Sequence, residues 1–178
     1  MKKCLAVILS LCLMATLASA SAEGSVEDQL YQVVMSALEQ EELIYEYDAE
    51  NQWFTLSFDM DSSIQSADVT IFLYDDMVSV TVDCPLKVQE DWFEKAAIFT
   101  TLANNKLYYA QFRVDRDDGW IACRSCNVIE NVLPTEAEIL TLLYMPLNAM
   151  DDYGNGLAAI CTMGADPYEA IEACWAAM

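Results

Sequence analysis

Residues 102–126 read LANNKLYYAQFRVDRDDGWIACRSC, and this stretch decides the fold. A helix end with two asparagines leads into a strand at residues 108–115, a turn, and a second strand at residues 120–127. Polar and apolar residues alternate in both strands, which is typical of a sheet with one buried and one solvated face. The Asp118-Gly119 pair favours a tight turn between them. The stretch therefore predicts a hairpin in a one-sided antiparallel sheet.

The segments around this hairpin extend the same pattern. Four earlier strands are predicted in a meander with short turns, because alternating runs follow one another closely. Apolar residues at helical spacing predict a helix before the strands, one before the hairpin and further helices after it. The chain is expected to form a single α+β domain of residues 25–178, a largely antiparallel β-sheet covered on one face by helices. The predicted order is α-β-β-β-β-α-β-β-α-α, with helices at residues 26–42 and 88–104, from Thr135 and after Asp166, and strands at residues 44–48, 53–60, 68–73 and 78–83.

The third predicted helix contains two interruptions. Pro146 is expected to kink it or end its first part, because proline cannot donate the helical hydrogen bond. Gly154-Asn155-Gly156 forms a second weak point, and Gly164 is expected to stop the helix. On the strands, alternation predicts which side chains face solvent: Thr55, Ser57, Asp59, Asp68, Thr70, Ser79, Thr81, Asp83, Gln111, Arg113 and Asp115.

The first 20 residues form a targeting segment. Lys2 and Lys3 precede an almost wholly apolar run at residues 5–17, and small residues follow at the predicted cleavage sites after Ala20 or Ala22. This composition is typical of a secretory signal peptide, and the run is too short for a membrane span of roughly 20 residues. The mature protein is therefore expected outside the cytoplasm, secreted or in the cell envelope, with no membrane insertion.

The chain is strongly acidic. Its formal net charge is −21, and loss of Lys2 and Lys3 with the signal would bring it to −23. Such a surface excludes nucleic acid as a partner and disfavours anionic membranes, because both need the opposite sign. The charge fits solubility in an exposed, salty compartment, and it also fits a basic or metal-bearing partner.

Five cysteines remain after signal removal, and an odd number leaves at least one thiol unpaired or in an intermolecular bond. Cys123 and Cys126 form a C-x-x-C motif, which makes a small extracytoplasmic thiol-disulfide oxidoreductase the alternative function. Their predicted strand argues against it, because residues three apart on a strand face opposite sides. Cys84 could bridge Cys123 only if their strands meet. Cys161 and Cys174 either staple the last two helices or are small buried apolar residues.

The remaining chemistry is sparse. The chain has no histidine, which removes the commonest general base and the usual zinc ligand. Residues 115–119 resemble the start of a calcium loop, yet Cys126 stands where the twelfth-position glutamate is required, so a hairpin turn is the better interpretation. There is no glycine-rich phosphate loop, and 29 acidic residues make any carboxylate pair uninformative. The sequence predicts a non-enzymatic protein without a cofactor.

Short motifs support a family resemblance. LAN at residues 102–104 ends the second predicted helix, and DRDDG at residues 115–119 forms the hairpin turn. Together with the order of elements, these segments resemble the bacterial YbjN family, whose α+β fold is similar to that of type III secretion chaperones. The resemblance implies a candidate sensory-transduction regulator or a chaperone-like protein that binds a client, with no catalytic residues; the signal peptide departs from it. Matching tail segments are DY at residues 152–153, LAAI at 157–160, GADP at 164–167 and EAI at 169–171.

One surface is the candidate for partner binding. Trp53 and Tyr109 are expected on the polar sheet face, where they could anchor a ligand or a second subunit. Asp59, Asp68 and Asp83 share that face. The sequence thus predicts an exported, non-enzymatic domain that binds a protein partner through the open sheet face or the helical end, in one version as a homodimer.

Overall fold

The computed structural model describes residues 25–178, so the predicted signal peptide lies outside the described residues. It has the predicted α+β order, with a six-stranded antiparallel sheet and helices packed on one face. The helices are α1 (Val26–Gln40), α2 (Phe93–Asn104), α3 (Glu136–Met163) and α4 (Pro167–Ala177). The strands are β1 (Glu46–Asp48), β2 (Trp53–Asp59), β3 (Ser66–Tyr74), β4 (Met77–Asp83), β5 (Gln111–Val114) and β6 (Ile121–Val128).

The strands lie in the order β1-β2-β3-β4-β6-β5, so the second strand of the hairpin sits inside the sheet. Alternate residues of the long strands point into one core, where α3 packs on β4 and β6 while α1 packs on β3 and α3. At about 1.5–3 kcal/mol for each large buried apolar side chain, this face supplies the main favourable term in folding. In the described residues, no helix combines the length and apolarity needed to cross a bilayer.

Three of the four predicted helix starts are confirmed. The side-chain oxygens of Ser25 and Thr135 each accept a hydrogen bond from the backbone N–H three residues on, and their own backbone N–H groups donate to the side chain of that residue, which forms two capping boxes. Asp166 accepts from the backbone N–H groups of Tyr168 and Glu169, and Pro167 occupies the first helical position.

Two elements begin well after the positions predicted from the sequence, while the other boundaries shift only slightly. The second helix begins at Phe93, after a 3₁₀ turn at Glu90–Trp92, rather than at residue 88. Val88 lies outside the helix, and its N–H donates to Gly119 O, which ties this segment to the hairpin turn. The strand β5 begins at Gln111 rather than at residue 108.

The prediction that Gly154-Asn155-Gly156 weakens the third helix was wrong. α3 runs continuously from residue 136 to 163. A Cβ at position 154 would lie 2.2 Å from Ser62 Oγ, and one at position 156 would lie 2.5 Å from the Phe99 ring. These glycines therefore allow close approach of a loop and of α2.

Pro146 does not end α3 either. A proline in a helix interior leaves the carbonyl four residues earlier without its N–H donor, and here that carbonyl belongs to Leu142. The buried hydroxyl of Ser125, on β6, donates to Leu142 O at 2.6 Å. The sheet thus satisfies the acceptor that the helix cannot satisfy for itself.

Candidate functional site

The face of the sheet opposite the helices is the candidate site, and we call it the open face. Strand register places its residues in rows that cross the sheet. The first row contains Trp53, Phe72, Ser79 and Cys126; the second Thr55, Thr70, Thr81, Arg124 and Gln111; the third Ser57, Asp68, Asp83, Ala122 and Arg113.

Aromatic side chains occupy one end of the open face. Trp53 lies edge-on to Phe72 with ring centroids 5.5 Å apart, and Phe72 stacks on Tyr74 at 6.3 Å. Tyr74 is exposed, while Trp53 and Phe72 are half-buried. The structure places Trp53 on this face by register, as expected. Sequence reasoning missed Phe72 and Tyr74, although both share the strand parity of the polar residues Asp68 and Thr70.

The centre of the open face is less exposed to solvent than the alternating sequence pattern predicts. Ser79 is fully buried and Thr81 is 8 % exposed, so the prediction that both face solvent was wrong. Their neighbours in register are Phe72 and Arg124, whose large side chains cover the small ones. Arg124 Nε donates to Ser79 Oγ at 2.6 Å, which fixes the guanidinium over the sheet.

Carboxylates lie on the β2–β4 half of the open face. Asp68 and Asp83 are directly opposite each other on β3 and β4, an arrangement that destabilises a sheet through like-charge repulsion. Desolvation by burial, followed by the charge of Asp68, raises the pKa of Asp83 above its usual 3.8. Ser57 Oγ donates to Asp68 at 2.6 Å, and Asp59 lies at the strand end opposite Ser66.

Asp83→Asn is expected to raise the free energy of unfolding at neutral pH by about 0.5–1 kcal/mol, because it removes this repulsion. A raised acid pKa means that the folded chain holds the proton more tightly than the unfolded chain. The free energy of unfolding therefore falls as pH rises from the usual carboxyl pKa of 3.8 through the raised pKa of Asp83. The asparagine variant should not show this fall. Urea titrations from acidic to neutral pH measure it. Asp59→Asn is the control, and an equal gain there would contradict the pairing argument.

Cations lie on the β5–β6 half of the open face. Arg113 and Arg124 are diagonal neighbours on β5 and β6. Among the described residues, neither forms an ion pair with a carboxylate. The other described cations have partners elsewhere: Lys87 with Asp118, Lys95 with Gly164 O, Lys106 with the Trp175 ring and Arg116 with the Phe93 ring.

Tyr109 lies at the edge of this cationic half. Together with Met77, Tyr108, Gln111, the two arginines and Cys126, it borders a concavity of about 480 Å³. Tyr108 is 92 % exposed and Tyr109 is 73 % exposed, so two large apolar rings stand beside two uncompensated positive charges. This combination suits a ligand with a carboxylate and an apolar body.

The C-x-x-C cysteines lie on opposite faces of β6. Cys123 opposes Val82 in the core and is fully buried, whereas Cys126 opposes Ser79 on the open face and is exposed. Burial raises the pKa of Cys123 to about 12, the reverse of what thiolate chemistry needs. The two thiols are not placed to form a disulfide or share a metal, so the geometry gives the oxidoreductase alternative no support.

The other cysteines are free thiols in the structure. The strand of Cys123 does pair with the strand that ends just before Cys84. Cys84 N donates to Ile121 O, so Cys84 lies opposite Ile121 and diagonal to Cys123. Diagonal Cβ atoms are several ångströms too far apart for a disulfide. Of the two alternatives for Cys161 and Cys174, the structure has the second: both are small buried free thiols, and Cys174 lies against Gly156.

Native alkylation should modify Cys126 and spare the other four described cysteines. Cys126 alone among them is exposed, and burial raises the pKa of Cys84 to about 11 and of Cys161 to about 12. Mass spectrometry after iodoacetamide treatment, with and without guanidinium, measures the difference. Rapid native labelling of Cys123 would contradict the placement of β6.

Within residues 25–178, no group of three or more histidine, cysteine, aspartate or glutamate side chains is arranged to hold a metal ion. In the acidic turn at residues 115–119, the carboxylates of Asp115 and Asp118 accept hydrogen bonds from nearby backbone N–H groups. Asp115 Oδ1 accepts from Asp117 N, and Asp118 Oδ1 accepts from Trp120 N. Asp118 also pairs with Lys87 at 2.7 Å. These carboxylates shape the hairpin.

Comparison with known proteins identifies the fold. No family model matches the chain, and no curated protein matches it in sequence. The crystal structure of YbjN from E. coli, described as a candidate transcription regulator, is similar with a TM-score of 0.51 at 12% identity. The match covers 83% of this chain and 93% of that chain. The resemblance predicted from the motifs is thus confirmed at the level of the fold.

Proposed function

We propose that the chain is an exported, non-enzymatic YbjN-like domain that binds a protein partner through the open face. The observation that carries this proposal is a sheet face that no described helix covers. It bears the aromatic side chains of Trp53, Phe72 and Tyr74 at one end, and its acidic and basic residues lie on separate halves. Aromatic side chains anchor interfaces well, because they bury much area at little cost in side-chain entropy. Such a surface suits a regulatory protein or a chaperone-like one, and both act by binding.

The separation of charges defines the complementary partner. Asp59, Asp68 and Asp83 favour basic groups on the β2–β4 half, while Arg113 and Arg124 favour acidic groups on the β5–β6 half. Charge patterns of this kind steer association and fix the orientation of two proteins more than they raise affinity. A bound cationic group would relieve the repulsion between Asp68 and Asp83, and this relief would contribute to the free energy of binding.

Affinity capture from the producing cell tests the proposed function. Lysine substitutions at Asp59, Asp68 and Asp83 should remove the partner, whereas lysine at the exposed Glu90, Glu169 and Glu172 should not. Both triple variants change the net charge equally, so a difference between them reports position. Circular dichroism checks that each variant folds. Identical sets of captured proteins would refute binding through the open face.

The export part of the proposal rests on the N-terminal sequence. The mature protein should begin at Ser21 or Glu23, according to whether cleavage follows Ala20 or Ala22. Mass spectrometry of the extracytoplasmic fraction measures this directly. Recovery of the chain with Met1 from the cytoplasm alone would refute export. Light scattering on the purified protein tests the homodimer version.

A further inference from the structure

The sheet contains a vacant strand position beside β6. β4 pairs with β6 over residues 122–128, whereas β5 pairs with it only over residues 121–124. The sequence predicted a strand from residue 108, which would have filled the gap. Instead Asn104, at the end of α2, hydrogen-bonds both the N–H and the C=O of Phe112. The intervening residues must loop back to α2, so they do not extend along β6.

The alternation of the ladder shows which groups face this vacancy. Cys84 N donates to Ile121 O and Ile129 N donates to Asp76 O, so the odd-numbered residues of β6 are bonded to β4. The N–H and C=O groups of Cys126 and Val128 therefore point to the vacant side. Both residues are exposed, and no hydrogen bond from residues 25–178 reaches these four groups. The outer edge of β5, by contrast, is closed at Phe112 by Asn104.

Concavities lie on both sides of the vacant position. The one on the open face, of about 480 Å³, contains Arg113 and Arg124. The one on the helix side, of about 400 Å³, is bordered on α3 by Leu142, Met145, Thr141 and Glu138. Tyr109 and Cys126 border both concavities. Successive side chains of an extended strand point to opposite faces, so a strand added here would place alternate side chains in the two concavities.

We propose that the edge of β6 at Cys126 and Val128 binds an extended segment of the protein partner by strand addition. This inference rests on the proposed function and specifies the chemistry of the partner. The segment alternates acidic residues, which reach Arg113 and Arg124, with apolar residues, which enter the concavity beside α3. A second copy of this chain fits less well, because antiparallel pairing of two such edges brings the Arg124 side chains of both copies to the same interface.

A short, terminally blocked peptide that alternates valine with glutamate tests the inference by fluorescence anisotropy. A peptide with lysine in place of glutamate should bind at least about tenfold more weakly, because each lost charge-assisted bond costs about that factor. Val128→Pro removes the outward N–H while leaving the ladder to β4 intact, and it should weaken binding similarly. Arg113→Gln should also weaken it, whereas Arg116→Gln, which removes the same charge beside Phe93, should not.

Hydrogen exchange on the unmodified protein provides a test without any variant. The bound peptide should slow exchange at the amides of Cys126 and Val128, while exchange at Asp68 and Thr70 should stay unchanged. Equal affinity for the glutamate and lysine peptides, or protection confined to β3, would overturn the inference. If Val128→Pro and Arg113→Gln still capture the cellular partner at full strength, strand addition is refuted while the proposed function stands. If the peptide binds as expected but the cell yields no partner, the proposed function alone fails.

Discussion

Gly119→Ala is expected to lower the free energy of unfolding by about 3 kcal/mol or more, the largest effect of any single substitution considered for this fold. Gly119 has φ +72°, a conformation that L side chains rarely adopt. A Cβ there would also lie 2.1 Å from Val88 O, a backbone atom that cannot swing away. Since Val88 N donates to Gly119 O at 2.9 Å, relief of the clash would break the bond between the hairpin turn and the segment before α2.

Asp117→Ala is the matched control for this prediction. It changes the same turn, but its exposed side chain makes no hydrogen bond in the structure. Urea unfolding followed by circular dichroism should separate the two variants clearly. A loss below about 1 kcal/mol for Gly119→Ala would mean that the turn does not dock on Val88 as described.

The sheet was predictable because its information is local. Alternation along residues 53–59 and 78–83 fixes which side chains share a face, whatever the strand order. Three helix starts were predictable for the same reason; Ser25 and Thr135, for example, bond residues only three or four positions away. The placement of Trp53 on the open face follows from parity alone.

The features that the sequence did not predict depend on residues that are distant in the chain. Burial of Ser79 requires Phe72 on one neighbouring strand and Arg124 on the other, and the position of β6 beside β4 does not follow from alternation. The short β5 results from the bond between Asn104 and Phe112, which a strand pattern does not reveal. The candidate site was therefore only half predicted: its aspartates follow from parity, whereas the vacant strand position requires the tertiary structure.

Pro146 illustrates the same limit and leads to a double-mutant prediction. Ser125→Ala should lower the free energy of unfolding by about 1–3 kcal/mol, because it leaves the Leu142 carbonyl as a buried acceptor without a donor. In a Pro146→Ala background the new N–H of residue 146 can donate to that carbonyl. The cost of Ser125→Ala should then shrink, giving a coupling energy of at least about 1 kcal/mol between the two positions.

Pro146→Ala alone is expected to stabilise the protein, since an interior proline disfavours a helix by about 3 kcal/mol relative to alanine, and the serine offsets only part of this. Thr141→Ala is the control for loss of a hydroxyl: Thr141 Oγ1 donates to Ala137 O on the exposed side of α3, so its removal leaves no buried group unpaired. Chemical denaturation of the four members of the cycle measures the coupling. Additive effects would contradict the argument, because they would mean that Ser125 stabilises α3 independently of the proline.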